Sequence, residues 1–257
     1  MTPHRLGLIV PSSNTTMETE IPELLRRYAD AGGPAFTTHS SRAVLHTVDP
    51  ESLHRMVGEG DRCAAELADA HVSAIGYACL IALMAEGPGA HERIEPHLAE
   101  VAAAAGAAAP IVSSAGALVR TLLDLRLSRV AIVAPYLPEL TAMVIRYLGA
   151  YDIEVVDSVS LCVPDNLEVG ALDPAALPGH VRGLDLSRAE GVVLSACVQM
   201  PSLPSVDAVQ AAVGLPVVTA ATATTRELLG AVGLPPVVAD AGAALAQESA
   251  ATPFASR

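Results

Sequence analysis

Lysine is missing from this chain: all 15 basic side chains among its 257 residues are arginine. That absence rules out an internal aldimine with pyridoxal phosphate, other Schiff-base catalysis and a Walker-type phosphate lysine. Positive charge is scarce as well, since 28 acidic side chains bring the formal net charge to −13. The few arginines are scattered and form no basic stripe, so neither nucleic acid nor a membrane surface is expected as a partner. No apolar run reaches the roughly 18 residues of a membrane span. The N-terminus enters a strand pattern almost at once, without the layout of a signal peptide, and a cytoplasmic location is the expectation.

Metal-site spacing is lacking too. The four cysteines, Cys63, Cys79, Cys162 and Cys197, form no CxxC pair, and His91 and His97 are not four apart as two imidazoles on one helical face would be. We expect no metal and no cofactor, and we read the cysteines as free thiols of a reducing compartment.

What the chain does contain is a repeat. Ala74–Leu80 (AIGYACL) returns as Gly191–Val198 (GVVLSACV), each an apolar strand pattern ending in a small residue and a cysteine. Arg5–Pro11 (RLGLIVP) answers to Arg129–Pro135 (RVAIVAP), and Pro110–Ala117 (PIVSSAGA) to Pro216–Ala223 (PVVTAATA). Three segments recurring in one order indicate a duplication and two similar lobes. The lobes are drawn as residues 1–114 plus 220–257, with the last helix returning to the first lobe, and 115–219.

The periodicity predicts strands at Leu6–Val10, Ala35–His39, Val72–Ala78 and Ile111–Ser113, then at Val130–Ala134, Ile153–Ser158, Val192–Ala196 and Val217–Thr219. Helices are expected at Met17–Tyr28, Pro50–Ala70, Ile94–Ala109, Ala115–Leu125, Pro138–Leu148 and Thr222–Val232, with a helical or irregular stretch at Asp173–Asp185. Loops are expected at Ser40–Thr47, Leu80–Ala90 and Leu161–Gly170, and a disordered end to the Pro- and Ala-rich tail. Strands alternating with helices give an α/β fold with two parallel sheets and ligands at the carboxyl ends of the strands.

Those ends carry the chemistry. Ser12 to Thr16, between a strand and a helix, offers backbone N–H groups and polar side chains that suit a carboxylate, or else Thr15 or Thr16 merely caps the helix. Cys63, mid-helix among Ala and Leu, reads as core filler. Cys79 and Cys197 occupy matched positions, so facing lobes would set two thiols across a cleft. Such a pair supports proton removal and return on opposite faces of a carbon, or thiolate addition to an electron-poor alkene with proton transfer by the partner.

The run Val10-Pro11-Ser12-Ser13-Asn14-Thr15-Thr16-Met17-Glu18-Thr19-Glu20, with Tyr77-Ala78-Cys79 and Ser195-Ala196-Cys197, resembles maleate cis-trans isomerases of the Asp/Glu racemase superfamily. The resemblance implies two pseudo-symmetric Rossmann-like lobes with four-stranded parallel sheets and the active site in the cleft between them. It also implies a homodimer that converts a small dicarboxylate, maleate, to fumarate without a cofactor. By that likeness Cys79 adds to the double bond to give a succinyl thioether and Cys197 exchanges the proton. Asn14, Tyr136 and Asn166 stand where the family binds the carboxylates. A cofactor-independent racemase of aspartate, glutamate or a related acid and a dicarboxylate-binding sensor are the alternatives. A racemase needs a deep carboxylate for the ammonium group, whereas Glu18 and Glu20 are expected to face solvent or cap their helix. Arg42 is expected to be a surface or structural arginine.

Overall fold

The computed structural model describes residues 3–246. The tail end for which disorder is expected, residues 247–257, lies outside the described residues. The first half runs β1 (His4–Pro11), α1 (Met17–Asp30), β2 (Phe36–Ala43), α2 (Pro50–Gly58), α3 (Gly60–Asp69) and β3 (Ala74–Tyr77). It continues with α4 (Leu80–Ala85), α5 (Ala90–Ala104), β4 (Ile111–Ser113) and α6 (Ser114–Asp124). The second half holds β5 (Arg129–Ala134), α7 (Pro138–Gly149), β6 (Glu154–Ser160), α8 (Asn166–Gly170), α9 (Leu177–Arg182) and β7 (Gly191–Ser195). It closes with α10 (Val206–Val213), β8 (Val217–Thr219) and α11 (Ala220–Ala231).

Each half forms a four-stranded, all-parallel sheet, and the two share one order, β2-β1-β3-β4 and β6-β5-β7-β8. The central strands are almost wholly buried, as expected for parallel strands covered by helices on both faces. In this order the chain leaves β1 to one side for β2 and returns to its other side as β3. The reversal opens a crevice at the carboxyl ends of β1 and β3, repeated at β5 and β7. The two crevices face each other.

Helix α11 packs beside α6 and also against α1, β3 and β4. Thr224 donates to Ser114 Oγ at 2.8 Å, and Arg120 pairs with Glu227 at 2.6 Å. A further seam joins the halves at the far side of α4, where the Gly89 N–H donates to Tyr151 Oη at 3.1 Å and the His91 N–H to Tyr147 Oη at 3.3 Å.

Several elements differ from the sequence expectation, each for a local reason. The long helix predicted over Pro50–Ala70 breaks at Glu59, between Gly58 and Gly60. Gly60 lies so close to Leu98 that a Cβ there would come within 3.2 Å of it. The loop predicted after Cys79 opens with α4, because Leu80 to Met84 bury together, and only Gly87 to Gly89 is irregular, with φ of +84° and +77° at the glycines. The sequence reading assigns nothing to residues 199–216, where Pro201 and Pro204 interrupt the pattern. The structure has a 3-10 turn there, Leu203–Ser205, and then α10, which stops at Gly214 with φ +67°. Strand β2 extends through the predicted loop to Ala43, so Arg42 sits on a strand.

Candidate active site

Cys79 and Cys197 reach one cavity from opposite sides. Both are buried, and the charge of one thiolate would be felt by the other. The walls come from the carboxyl ends of the strands: Pro11 and Asn14 after β1, Leu45 and Val48 after β2, Cys79 and Ile81 after β3. Tyr136 follows β5, Asn166 opens α8, and Cys197, Val198 and Gln199 follow β7. All five residues singled out in the sequence, Asn14, Cys79, Tyr136, Asn166 and Cys197, therefore line a single space. Cys63 is buried in α3 away from it, and Cys162 is exposed.

The space is narrow. Its volume, about 10 Å³, is at the limit of what holds one water molecule. A four-carbon dicarboxylate requires the walls to part.

The loop after β1 is held in place by bonds that the capping expectation missed. Thr16 is the N-cap of α1, yet its hydroxyl makes no cap bond; it donates instead to Gln199 O at 2.6 Å. Asn14 does the capping, its Oδ1 accepting from the Met17 N–H at 3.0 Å, while its Nδ2 donates to Val198 O at 3.1 Å. Arg42 donates to Ser12 O at 2.8 Å and Asn14 O at 3.0 Å and pairs with Glu18, so it fastens this loop from outside the cavity. Asn166 Nδ2 donates to Ser13 Oγ at 2.7 Å. Thr47 forms an isolated antiparallel bridge with Asp165, which brings the segment after β2 against the other half.

Glu20 corrects a second expectation. It is 6% exposed rather than on the surface, and it accepts from the Ser202 N–H at 2.6 Å and the Leu203 N–H at 2.7 Å. Burial raises its carboxyl pKa against the pull of those donors. The helical stripe contains the signal: Met17, Ile21, Leu24, Leu25 and Tyr28 are the buried face of α1, and Glu20 falls inside it. It does not line the cavity, whose described walls include no Asp or Glu.

Both thiols are held protonated at rest. Burial pushes the Cys79 pKa up to about 12, opposed by one donor, the Ala82 N–H at the start of α4. Burial raises the Cys197 thiol as well, opposed by the Tyr136 hydroxyl and the N–H groups of Gln199 and Met200, that of Gln199 at 3.3 Å. Tyr136 itself is raised well above the usual phenol range by burial first and the neighbouring thiols second. The site is thus an uncharged space with two weakly acidic S–H groups and amide, hydroxyl and backbone donors around them. It suits a planar anion whose charge shifts during reaction, because neutral donors can follow that charge without competing ions.

Sequence reasoning did not pick out Gln199, Ile81, Leu45 or Val48. Gln199 had one available signal: at two residues past the cysteine the first copy has apolar Ile81 and the second a buried amide. No helix among the described residues is long and apolar enough to cross a membrane.

Comparison with known proteins converges on one group. The family model described as arylmalonate decarboxylase matches residues 6–245. The maleate isomerase of Pseudomonas putida is 52% identical over 242 residues, 94% of this chain and 97% of that protein. A crystal structure of a Pseudomonas putida maleate isomerase variant with maleate superposes with a TM-score of 0.93 at 45% identity, covering 95% of this chain and 98% of that one. The Nocardia farcinica maleate cis-trans isomerase, solved as a cysteine-to-serine variant with a covalently bound succinylcysteine intermediate, gives 0.92 at 45% identity, covering 96% and 100%.

Proposed function

This chain belongs to the maleate isomerase branch of the arylmalonate decarboxylase family, and on that premise we propose that it converts maleate to fumarate without a cofactor. Cys79 is the nucleophile, Cys197 the proton donor and acceptor, and Asn14, Tyr136 and Asn166 hold the carboxylates. The observation that carries the reading is the pair of buried thiols in one cavity walled by neutral donors, in a chain similar to an isomerase seen with a succinylcysteine intermediate.

The steps balance. Cys79 sulfur bonds to one alkene carbon as the S–H proton leaves, and the π electrons pass to the neighbouring carbon and into its carboxylate. Cys197 delivers its proton to that carbon and takes up the one Cys79 gave, so the net step adds one S–H across the double bond. The product is a succinyl thioether whose central bond now rotates. Cys197 then removes a proton from the same carbon, the electrons re-form the double bond, and the sulfur leaves as thiol. As negative charge grows on the carboxylate it becomes enediolate-like, and the side-chain N–H and O–H groups of Asn14, Asn166 and Tyr136 are the donors placed to meet it. No charged partner is needed, consistent with a lysine-free chain whose Arg42 is occupied elsewhere.

A racemase of acidic amino acids would use the same thiols but needs a carboxylate for the ammonium group. Glu20 is buried, but its oxygens are committed to Ser202 and Leu203. We also take the protein to be a cytoplasmic homodimer, on the strength of the family resemblance and the free thiols, with lobes at residues 1–114 plus 220–257 and 115–219. The packing of α11 on α1, β3 and β4 supports that division. Light scattering after gel filtration tests the dimer.

Proton NMR of purified protein with maleate, in chelator-treated buffer without added cofactor, tests the activity. Catalytic appearance of the fumarate singlet is expected. Folded, reduced protein that leaves maleate unchanged would overturn the assignment.

A further inference from the structure

Gln199 stands two residues past Cys197, is 1% exposed, and has all its amide hydrogens in use. Its Nε2 donates to Asn166 O at 2.9 Å and to Ser13 O at 3.1 Å, while its Oε1 accepts from the Thr15 N–H at 3.0 Å. Its own backbone completes the pattern, the N–H pointing at Cys197 Sγ and the carbonyl accepting from Thr16. The seat is shaped for this side chain, since a Cβ at Gly170 would come within 2.5 Å of Nε2. Gln199 thus touches the loop that carries Asn14 and the helix start that carries Asn166 through its side-chain amide, and the Cys197 sulfur through its backbone N–H.

We propose that Gln199 is a positioning residue for the isomerisation, its side-chain amide setting the Asn14 loop and the Asn166 helix start in register with the Cys197 sulfur. The proposal rests on the maleate isomerase reading for its chemistry and on these bonds for its geometry. Holding the halves together is a separate task that Glu20 performs further along the same segment, through Ser202 and Leu203. Gln199 acts at the cavity wall, where both N–H groups point at main-chain carbonyls of segments that grip substrate. A substrate-binding group displaced by about 1 Å can cost about a hundredfold in rate. Loss of this amide therefore falls on kcat more than on folding.

Gln199→Glu and Gln199→Leu test it. A protonated Glu keeps an acceptor for the Thr15 N–H and one O–H donor toward Asn166 O. An ionised one has no donor and faces two carbonyl oxygens. Turnover of maleate by Gln199→Glu, divided by that of the wild type at the same pH, should climb at least about tenfold as pH falls from 9 to 6, while Gln199→Leu stays about a hundredfold low at every pH. Circular dichroism at each pH shows which samples are folded. A pH-independent ratio for a folded Glu variant, or wild-type kcat in Gln199→Leu, would overturn the proposal. Should the Glu variant unfold at high pH, the Leu variant decides alone.

Iodoacetamide labelling of Cys197, read by mass spectrometry without substrate, separates the two claims. Gln199→Glu is expected to label at a rate clearly different from wild type at pH 9 and equal to it at pH 6. Wild type that makes no fumarate, with labelling that follows this pattern, removes the isomerase reading and keeps the positioning role. Wild type that makes fumarate, with labelling and turnover of the Glu variant in constant ratio to it, removes the positioning role and keeps the isomerase.

Discussion

The two cysteine-bearing strand ends are copies in sequence and unlike in structure. After β3 the chain turns directly into α4, Cys79 is the N-cap, and its sulfur receives one N–H. After β7 the chain stays irregular through Ser202, Ser195 Oγ donates back to Cys197 O at 2.8 Å and Met200 O at 3.3 Å, and the Cys197 sulfur collects three donors. Burial is nearly equal, 2% and 5% exposure. What differs is how many donors stand ready for a negative sulfur. The free N–H groups of a helix's first turn point along its axis, and only that of Ala82 meets the Cys79 sulfur, whereas the irregular segment turns the N–H groups of both Gln199 and Met200 toward one atom. The first copy presents a bare sulfur suited to bond formation, and the second a solvated one suited to holding and releasing a proton.

Removing either sulfur breaks the comparison most sharply. Cys79→Ala should lower kcat by at least about 10⁴-fold and abolish the mass increase of a succinyl adduct; turnover near wild type would end its role as nucleophile. Cys197→Ala, which leaves the nucleophile but removes the proton carrier, should cost about 10² to 10⁴-fold in kcat. An effect no larger than that of Cys63→Ala would dissolve the pairing.

The acid-base contrast can be sharpened by pH. A thiol whose folded pKa is raised holds its proton more tightly than in the unfolded chain. Its stabilising effect is complete below the unfolded value of about 8.5 and is lost as pH rises toward the folded one. Alkylation of Cys79 should therefore accelerate by nearly tenfold per pH unit from 7 to 10 without a plateau, in keeping with a pKa of about 12. The melting temperature should fall above pH 9 by more in wild type than in Cys79→Ser. A labelling plateau near pH 8 would contradict the raised value.

Smaller effects test the donors. Tyr136→Phe removes the hydroxyl from Cys197 and should slow both turnover and Cys197 labelling by about tenfold, the worth of one hydrogen bond to a charged group, while Cys79 labelling stays within about twofold. Cys162→Ala should change kcat by less than twofold, since that side chain is exposed and lies off the cavity.

Strands, helix alternation and the two thiols were legible because duplication writes each twice, and a pattern repeated at matched positions outweighs a single short run. Asn14 was legible as a residue of the site but not as the cap of α1, since its amide and the Thr16 hydroxyl compete for one task and the other half decides between them. Gln199 and Glu20 escaped because their partners lie about 180 residues away in sequence, Thr15 and Ser202 respectively, as the separations of 184 and 182 record. The α4 helix escaped because its six apolar residues fit a buried turn of any kind.

The narrowness of the cavity bears on the fidelity of the product. A water molecule beside the reacting carbon could add across the double bond in place of the sulfur and give a hydroxy acid, and one stray molecule is enough. Walls that leave about 10 Å³ between them offer little room for a water molecule beside a four-carbon acid. With water held off the reacting carbon, the adduct has two exits, both alkenes.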